Sequence, residues 1–163
     1  MRRRWTGGVT SEHARAYVHA GVATTLAAVR DPLAGADRRP STTITFEEGV
    51  DPDDRRSHRS HRVVPDLVAV ELQLEWRSDV VSGPLDAPTL TATRWQKVWG
   101  TSAISLLEGP IVCRQVAPSV TLLEIQYHLD ALAQGYETIE AYLSGYYDSI
   151  LALVRGEPLP PQE

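Results

Sequence analysis

The feature that most constrains the fold is a long amphipathic segment near the C-terminal end, Tyr136–Arg155. Its apolar residues recur in alternating steps of four and three, which is the spacing of one helix face; they are Ile139, Leu143, Tyr146, Ile150 and Leu153. Gly156 and Pro158 follow this segment and predict the end of the helix. Glycine suits the left-handed position after a helix, and proline cannot continue one. At about 1.5 Å per residue the helix is about 30 Å long. We therefore expect a large apolar surface around it.

The sequence pattern in the middle of the chain predicts an antiparallel sheet, which could supply that apolar surface. In residues 66–77, apolar side chains alternate with polar ones from Val68 to Trp76, which is typical of a strand with one wet face. Further strands are predicted over residues 41–48, 89–99, 102–107, 111–116 and 119–132. Gly109 and Pro110 together are a strong turn signal between two of them.

The N-terminal part predicts a helix. Thr10 or Ser11 can cap it, apolar residues continue at helical spacing to Val29, and Asp31-Pro32 ends it. Residues 1–10 are predicted to be a loose end or a short first strand, and the proline-rich residues 157–163 a second loose end. Residues 49–62 carry dense charge of both signs, which predicts a mobile loop.

Length and composition predict one soluble globular domain covering residues 1–163. Residues 1–62 hold 11 basic and 8 acidic groups, whereas residues 63–163 hold 5 basic and 13 acidic groups. The acidic part argues against a nucleic-acid partner, which needs clustered cations.

No apolar run is long enough to span a membrane, and no secretory signal is evident, so we expect a cytoplasmic location and no membrane partner. The arginine-rich, lysine-poor usage suggests a bacterial genome.

Metal and disulfide chemistry has little support in the sequence. Cys113 is the single cysteine, which excludes an intramolecular disulfide and a cysteine-based zinc site. The spacing of His58 and His61 fits no standard zinc pattern, and His128 lies on the polar face of its predicted strand. We predict no metal site and no cofactor.

The order of a helix, a block of strands and a long final helix indicates the α+β class. With the progression TATRWQKVWG, GPIVCRQV and TLLEIQYHLD before the last helix, this layout resembles the helix-grip fold of the START-like (SRPBCC) superfamily. That superfamily includes polyketide cyclases, aromatases, allergen-type ligand carriers and lipid-transfer domains. The resemblance implies a curved antiparallel sheet wrapped around the C-terminal helix, with an N-terminal helix. One departure is that members begin with a strand before the first helix, which only residues 3–9 could supply.

The resemblance also implies a cavity between sheet and helix that holds an apolar or aromatic small molecule. We predict Arg94, Tyr127 and Tyr146 as catalytic hydrogen-bond donors. Arg94 leaves two alternatives: either its face is concave and it holds a ligand anion, or the Trp95 face is concave and Arg94 is solvated. The predicted ligand-contacting residues are Trp76, Trp95, Trp99, Leu123, Ile125, Leu129, Leu143 and Ile150.

The resemblance implies a polyketide-like ligand and an enzyme of the cyclase or dehydratase type, a lyase or isomerase in natural-product biosynthesis. It would act by positioning its substrate and polarising carbonyl groups. One alternative is a non-catalytic carrier or sensor of a hydrophobic ligand. Another is an interaction protein with a filled core, in which the Trp95 and Trp99 face supports a homodimer.

Overall fold

The computed structural model describes residues 4–6, 8–35, 43–48, 58–65, 69–131 and 136–162. In chain order the elements are β1 (Arg4–Thr6), β2 (Val9–Val18), α1 (Val22–Arg30), β3 (Thr43–Glu48), β4 (His58–Pro65), β5 (Ala69–Ser82), β6 (Leu90–Gly100), β7 (Ile104–Ala117), β8 (Val120–Ala131) and α2 (Tyr136–Arg155). The strands form one eight-stranded antiparallel sheet in the order β1-β2-β8-β7-β6-β5-β4-β3. The predicted fold class is confirmed: a curved antiparallel sheet with an N-terminal and a C-terminal helix.

The C-terminal helix has the predicted bounds and the predicted buried face. Its side chains at Ile139, Leu143, Tyr146 and Ile150 are all buried. Gly156 has a φ of 66°. Its N–H donates to the Leu153 carbonyl at 3.2 Å, and the next N–H, of residue 157, donates to the carbonyl of residue 152 at 2.9 Å. These two bonds close the helix end as the glycine predicts.

The prediction of one helix from residue 10 or 11 to Val29 is wrong in its first half. Residues 9–18 form β2, which pairs with β8 from Thr10 opposite Leu129 to Val18 opposite Thr121. Only Val22–Arg30 is helical, and it ends before Asp31 as expected. The alanines of residues 10–20 suit a helix and a strand alike, so pairing with β8 decides the conformation. This strand supplies the element before the first helix, and β1 pairs with it within the predicted loose end.

Two other segments differ from the sequence prediction. The strand His58–Pro65 occupies part of the predicted loop 49–62, whose residues 49–57 lie outside the described residues. Strand β7 passes straight through the predicted turn at Gly109-Pro110. A Cβ atom on Gly109 would collide with the Gln126 carbonyl oxygen of β8. Glycine therefore marks a close approach of two backbones here, not a turn.

The main core lies where α1, α2 and the sheet meet. Helix α1 packs against α2 and against β6, β7 and β8. The buried apolar side chains there include Val18, Val22, Val29, Ile111, Cys113, Leu123 and Ile150. The Tyr146 hydroxyl donates to the Val29 carbonyl at 3.4 Å and so links α2 to α1. Among the described residues, no helix is long and apolar enough to cross a membrane.

Candidate functional site

The strand register places five residues in one row across the inner side of the sheet. From β5 to β2 they are Trp76, Trp95, Gly109, Tyr127 and Glu12. Trp76 pairs with Trp95, Trp95 with Gly109, and Tyr127 with Glu12. The antiparallel pairing of β7 with β8 brings Gly109 beside Tyr127. Because directly opposed residues share a face of the sheet, one level of the interior carries aromatic rings and a carboxylate.

The aromatic members of the row touch one another and continue into α2. The ring centroids of Trp76 and Trp95 are 5.6 Å apart and the rings are stacked. Trp95 and Tyr127 are 5.0 Å apart although they lie two strands apart, on β6 and β8. Glycine at position 109 leaves the space between them, since its Cβ atom would stand 3.3 Å from the Trp95 ring. Tyr142 of α2 completes the contact at 5.4 Å from Tyr127.

Trp95 carries an unmatched polar atom. Its side chain is only 4% exposed, and its indole Nε1–H has no hydrogen-bond acceptor among the described residues. Leaving a buried donor unsatisfied costs about 1–3 kcal/mol. A carbonyl oxygen of a bound molecule would offset this cost. Trp95 is therefore a candidate donor to a ligand.

An apolar cavity of about 220 Å³ lies between α2 and strands β2 and β8. Its lining residues are Ala14, Arg15, Ala16, Leu123, Ile125, Leu143, Ser144 and Tyr147. Ala14 is two residues from Glu12 on β2, and Ile125 is two residues from Tyr127 on β8, so each pair shares a strand face. The cavity therefore borders the acidic end of the row. Ser144 is exposed, so the cavity opens to the surface beside α2.

The prediction that Arg94 acts inside the cavity is wrong. Its side chain is exposed, because the alternation that buries Trp95 turns its neighbour to the outer face. Arg94 lies opposite Arg77 of β5 and Pro110 of β7 on that face. Of the two alternatives, the structure has the Trp95 face concave.

The prediction that Trp99 lines the cavity is also wrong, since 56% of its surface is exposed. Gln73 pairs with Trp99 and Leu74 with Lys97, so Val98 is an extra residue on β6. Such a bulge breaks the two-residue alternation that links Trp95 to Trp99 in the sequence.

The other predicted residues lie on the inner side, in three settings. Leu123, Ile125 and Leu143 line the cavity. Tyr127 is half-buried within the row. Trp76, Leu129 and Ile150 are buried members of the core. Contact of any of these residues with a ligand stays a prediction.

Tyr146 and Cys113 belong to the filled end of the interior. Burial raises the pKa of the Tyr146 hydroxyl well above its ordinary value, and the neighbouring Tyr142 and Cys113 raise it further. Burial raises the pKa of the Cys113 thiol to about 11, against the smaller lowering effect of a hydrogen bond with Thr91. Both groups are therefore neutral at physiological pH. A neutral buried thiol is a poor nucleophile.

Glu12 is the site residue that the sequence prediction missed. In the helix predicted from residue 10 or 11, Glu12 falls in the first turn, where an acidic residue is ordinary and carries no functional signal. The structure buries it to 2% exposure opposite Tyr127. An alternating interpretation of residues 9–18 would have placed it on one face with Ala14, Ala16 and Val18, but that face is too weakly apolar to indicate a strand.

Metal-binding geometry is not evident in the part of the chain that the structure describes. No group of three or more histidine, cysteine, aspartate or glutamate side chains there is placed to hold an ion. The side chains of His58 and His61 lie outside the described ones. His128 is half-buried, and its Nδ1 is 2.8 Å from the Ser11 hydroxyl.

No protein-family profile matches the chain, and no curated protein matches it at a significant level. Solved structures match over nearly the whole length. An aromatase/cyclase from a Streptomyces species is 16% identical with a TM-score of 0.58, over 91% of this chain and 92% of that one. A START superfamily protein from Mycobacterium smegmatis is 13% identical with a TM-score of 0.56, over 90% and 94%. A human lipid transfer and protein localization domain is 13% identical with a TM-score of 0.59, over 96% and 80%. At these identities the likeness shows the fold, which is the helix-grip fold seen in START-type proteins.

Proposed function

We propose that this helix-grip protein binds an aromatic, polyketide-like small molecule between the sheet and α2. The observation that carries the proposal is the apolar cavity of about 220 Å³, which borders a row of aromatic rings and a buried carboxylate. Apolar walls with a few convergent polar groups are the usual composition of a small-molecule site. The ring body of the ligand occupies the cavity against Leu123 and Ile125, and its polar end lies toward Tyr127.

The proposed chemistry is of the cyclase or dehydratase type, acting on a carbonyl compound. Such a reaction needs the substrate held in a folded pose and a donor aimed at the developing negative charge on oxygen. The Trp95 indole N–H takes the donor role first predicted for Arg94, because it is buried and lacks an acceptor among the described residues. The tyrosine hydroxyl at position 127 is the second proposed donor. Aromatase/cyclases with the same fold support this class of reaction.

A second candidate function is a carrier that binds the same ligands without turnover. It is favoured by two observations: Arg94 is exposed, and the Tyr146 hydroxyl is already bonded to the Val29 carbonyl. Both leave fewer donors for catalysis. A lipid transfer domain also shares the fold. The two functions are distinguished by incubating the protein with a linear poly-β-ketone and following cyclised product by mass spectrometry, with the Trp95→Phe variant as the comparison.

Binding is tested by calorimetric titration with an aryl ketone of suitable size, methoxyacetonaphthone. We expect one molecule bound per chain. Ala14→Leu fills the cavity and should weaken binding by about tenfold or more, the equivalent of at least about 1.4 kcal/mol. Arg94→Ala, which removes an exposed side chain from the outer face, is the matched control and should bind like the wild type. Absence of binding, or weaker binding in Arg94→Ala with none lost in Ala14→Leu, would contradict the proposal.

A further inference from the structure

Glu12 is an unusual residue to find on the inner face of this sheet. Its side chain is 2% exposed, although glutamate is rarely buried so completely. Burying a carboxylate is costly unless hydrogen bonds or charges compensate it. Ala14, the next residue on the same face of β2, is small and lines the cavity. Glu12 therefore adjoins the mostly apolar lining of the cavity along β2, although it is not itself one of the lining residues.

The surroundings of Glu12 are suited to recognising a polar group on an aromatic ligand. It lies directly opposite Tyr127, whose ring contacts Trp95 on one side and Tyr142 on the other. A carboxylate accepts hydrogen bonds at about four lone-pair positions. It can therefore accept one from a ligand in addition to its contacts within the protein.

The opposite end of the aromatic row offers the complementary group. The Trp95 indole N–H is a donor, whereas the Glu12 carboxylate is an acceptor when ionised. Their strands, β6 and β2, are separated by β7 and β8, so their Cα atoms are three strand spacings apart, about 14 Å. Tyr127 lies between them in the row, opposite Glu12 and in contact with Trp95. A donor and an acceptor therefore lie on the two sides of Tyr127.

We infer that Glu12 is a specificity-determining residue that accepts a hydrogen bond from a ligand hydroxyl, so that the preferred ligands are hydroxylated aryl ketones. This inference rests on the proposed function, because it concerns the same cavity. It goes further by assigning the ligand a hydroxyl group and by naming the residue that selects it.

The test compares hydroxyacetonaphthone with methoxyacetonaphthone, its methyl ether, in calorimetric titrations. The ether has the same rings and ketone but no donor. The wild type should bind the hydroxy compound about tenfold or more tightly than the ether, since only the hydroxyl can donate a hydrogen bond to the Glu12 side chain. Glu12→Leu, of similar size, should reduce this preference to less than about threefold while still binding the ether. Glu75→Gln alters a carboxylate that pairs with Arg77 at 2.6 Å on the outer face of β5, and should keep the full preference.

Each outcome is decisive. Equal affinity of the wild type for the two compounds overturns the role of Glu12 but leaves the proposed function standing, because both compounds bind. No binding of either compound overturns both. Ether binding by Glu12→Leu shows that the variant is folded. If that variant does not fold, Glu12→Gln, which keeps the shape of the side chain but removes its charge, should lower the preference, and an unchanged preference overturns the role of Glu12.

Discussion

At the scale of single residues, the sequence shows which side chains share a face but not which face is inside. Alternation separates Arg94 from Trp95 correctly, and both assignments are compatible with the pattern. The structure selects Trp95 because it stacks on Trp76 and contacts Tyr127 across the glycine at position 109. These contacts join strands that are distant in sequence, and no local pattern reports them. No local sequence pattern predicts the bulge at Val98, which turns Trp99 outward.

Because the indole N–H of Trp95 has no acceptor among the described residues, we predict that its removal changes stability little but weakens ligand binding. Trp95→Phe removes a buried donor that has no acceptor among the described residues, at the expense of some ring contact. The free energy of unfolding should therefore change by less than about 1 kcal/mol, well below the loss of about 3–5 kcal/mol typical of deleting a core aromatic ring. The affinity for methoxyacetonaphthone should nevertheless fall about three- to tenfold, because its carbonyl loses a donor.

The comparison ligand for this prediction is ethylnaphthalene, which has no carbonyl group. Its affinity should be nearly the same for the wild type and for Trp95→Phe. Trp99→Phe changes an exposed tryptophan and should leave both affinities unaltered. Equal losses for the ketone and the hydrocarbon would mean that Trp95 contributes packing alone. Calorimetry gives the affinities and urea unfolding gives the stability.

At the scale of elements, long periodic segments are predictable and ambiguous short ones are not. β5 runs past its predicted end to Ser82, and the segments predicted as separate strands over residues 102–107 and 111–116 are one strand, β7. The helix Tyr136–Arg155 and the strands Leu90–Gly100 and Val120–Ala131 lie close to their predicted bounds. Strand β2 does not, because its alanines fit a helix as well as a strand and its inner face includes Glu12. The Gly109-Pro110 pair shows that a turn signal can have another cause. Glycine is required there by the carbonyl oxygen of β8.

Two glycine-to-alanine substitutions should have opposite effects on stability. Gly109→Ala places a Cβ atom against the Gln126 carbonyl oxygen and within 3.3 Å of the Trp95 ring, so strands β7 and β8 must separate. We expect a loss of at least about 2 kcal/mol in the free energy of unfolding. Gly145→Ala in α2 meets no atom within 4 Å and should gain about 0.5–1 kcal/mol from helix propensity. Urea unfolding curves measure both. A Gly109→Ala variant as stable as the wild type would show that the two strands do not approach so closely.

At the scale of the whole molecule, the order of elements predicts the fold but not the site. An initial helix, a block of strands and a final amphipathic helix are sufficient to predict a sheet that curves around α2. The proposed site instead draws on Glu12 from β2, Trp95 from β6 and Leu143 from α2, and their common placement on the inner side of the sheet depends on the register of long-range pairs. One end of the interior is filled where α1 joins α2 and the sheet, and the cavity lies along the β2 side of α2.

The filled end makes global stability sensitive to alkaline pH. Burial raises the pKa of the Cys113 thiol from 9.0 to about 11 and also raises the pKa of Tyr146. Between pH 9.0 and about 11 the Cys113 thiol is protonated in more of the folded than of the unfolded molecules, so the free energy of unfolding falls as pH rises. The thiol's contribution is fully present below pH 9.0 and is lost as pH passes about 11. Two pKa units correspond to about 3 kcal/mol at most.

The Cys113→Ala variant tests the contribution of the thiol to this pH dependence, because it lacks the titrating group at that buried position. Its stability should be lower at neutral pH, owing to the lost side-chain volume, but should fall less steeply above pH 9.0 than that of the wild type. Val112→Ala, at the adjacent half-buried position, removes apolar volume without a titrating group and should keep the wild-type slope. Guanidinium unfolding at a series of pH values measures all three proteins. Parallel curves for the wild type and Cys113→Ala would show that the thiol is not held neutral by burial, and that the junction of α1, α2 and the sheet admits solvent.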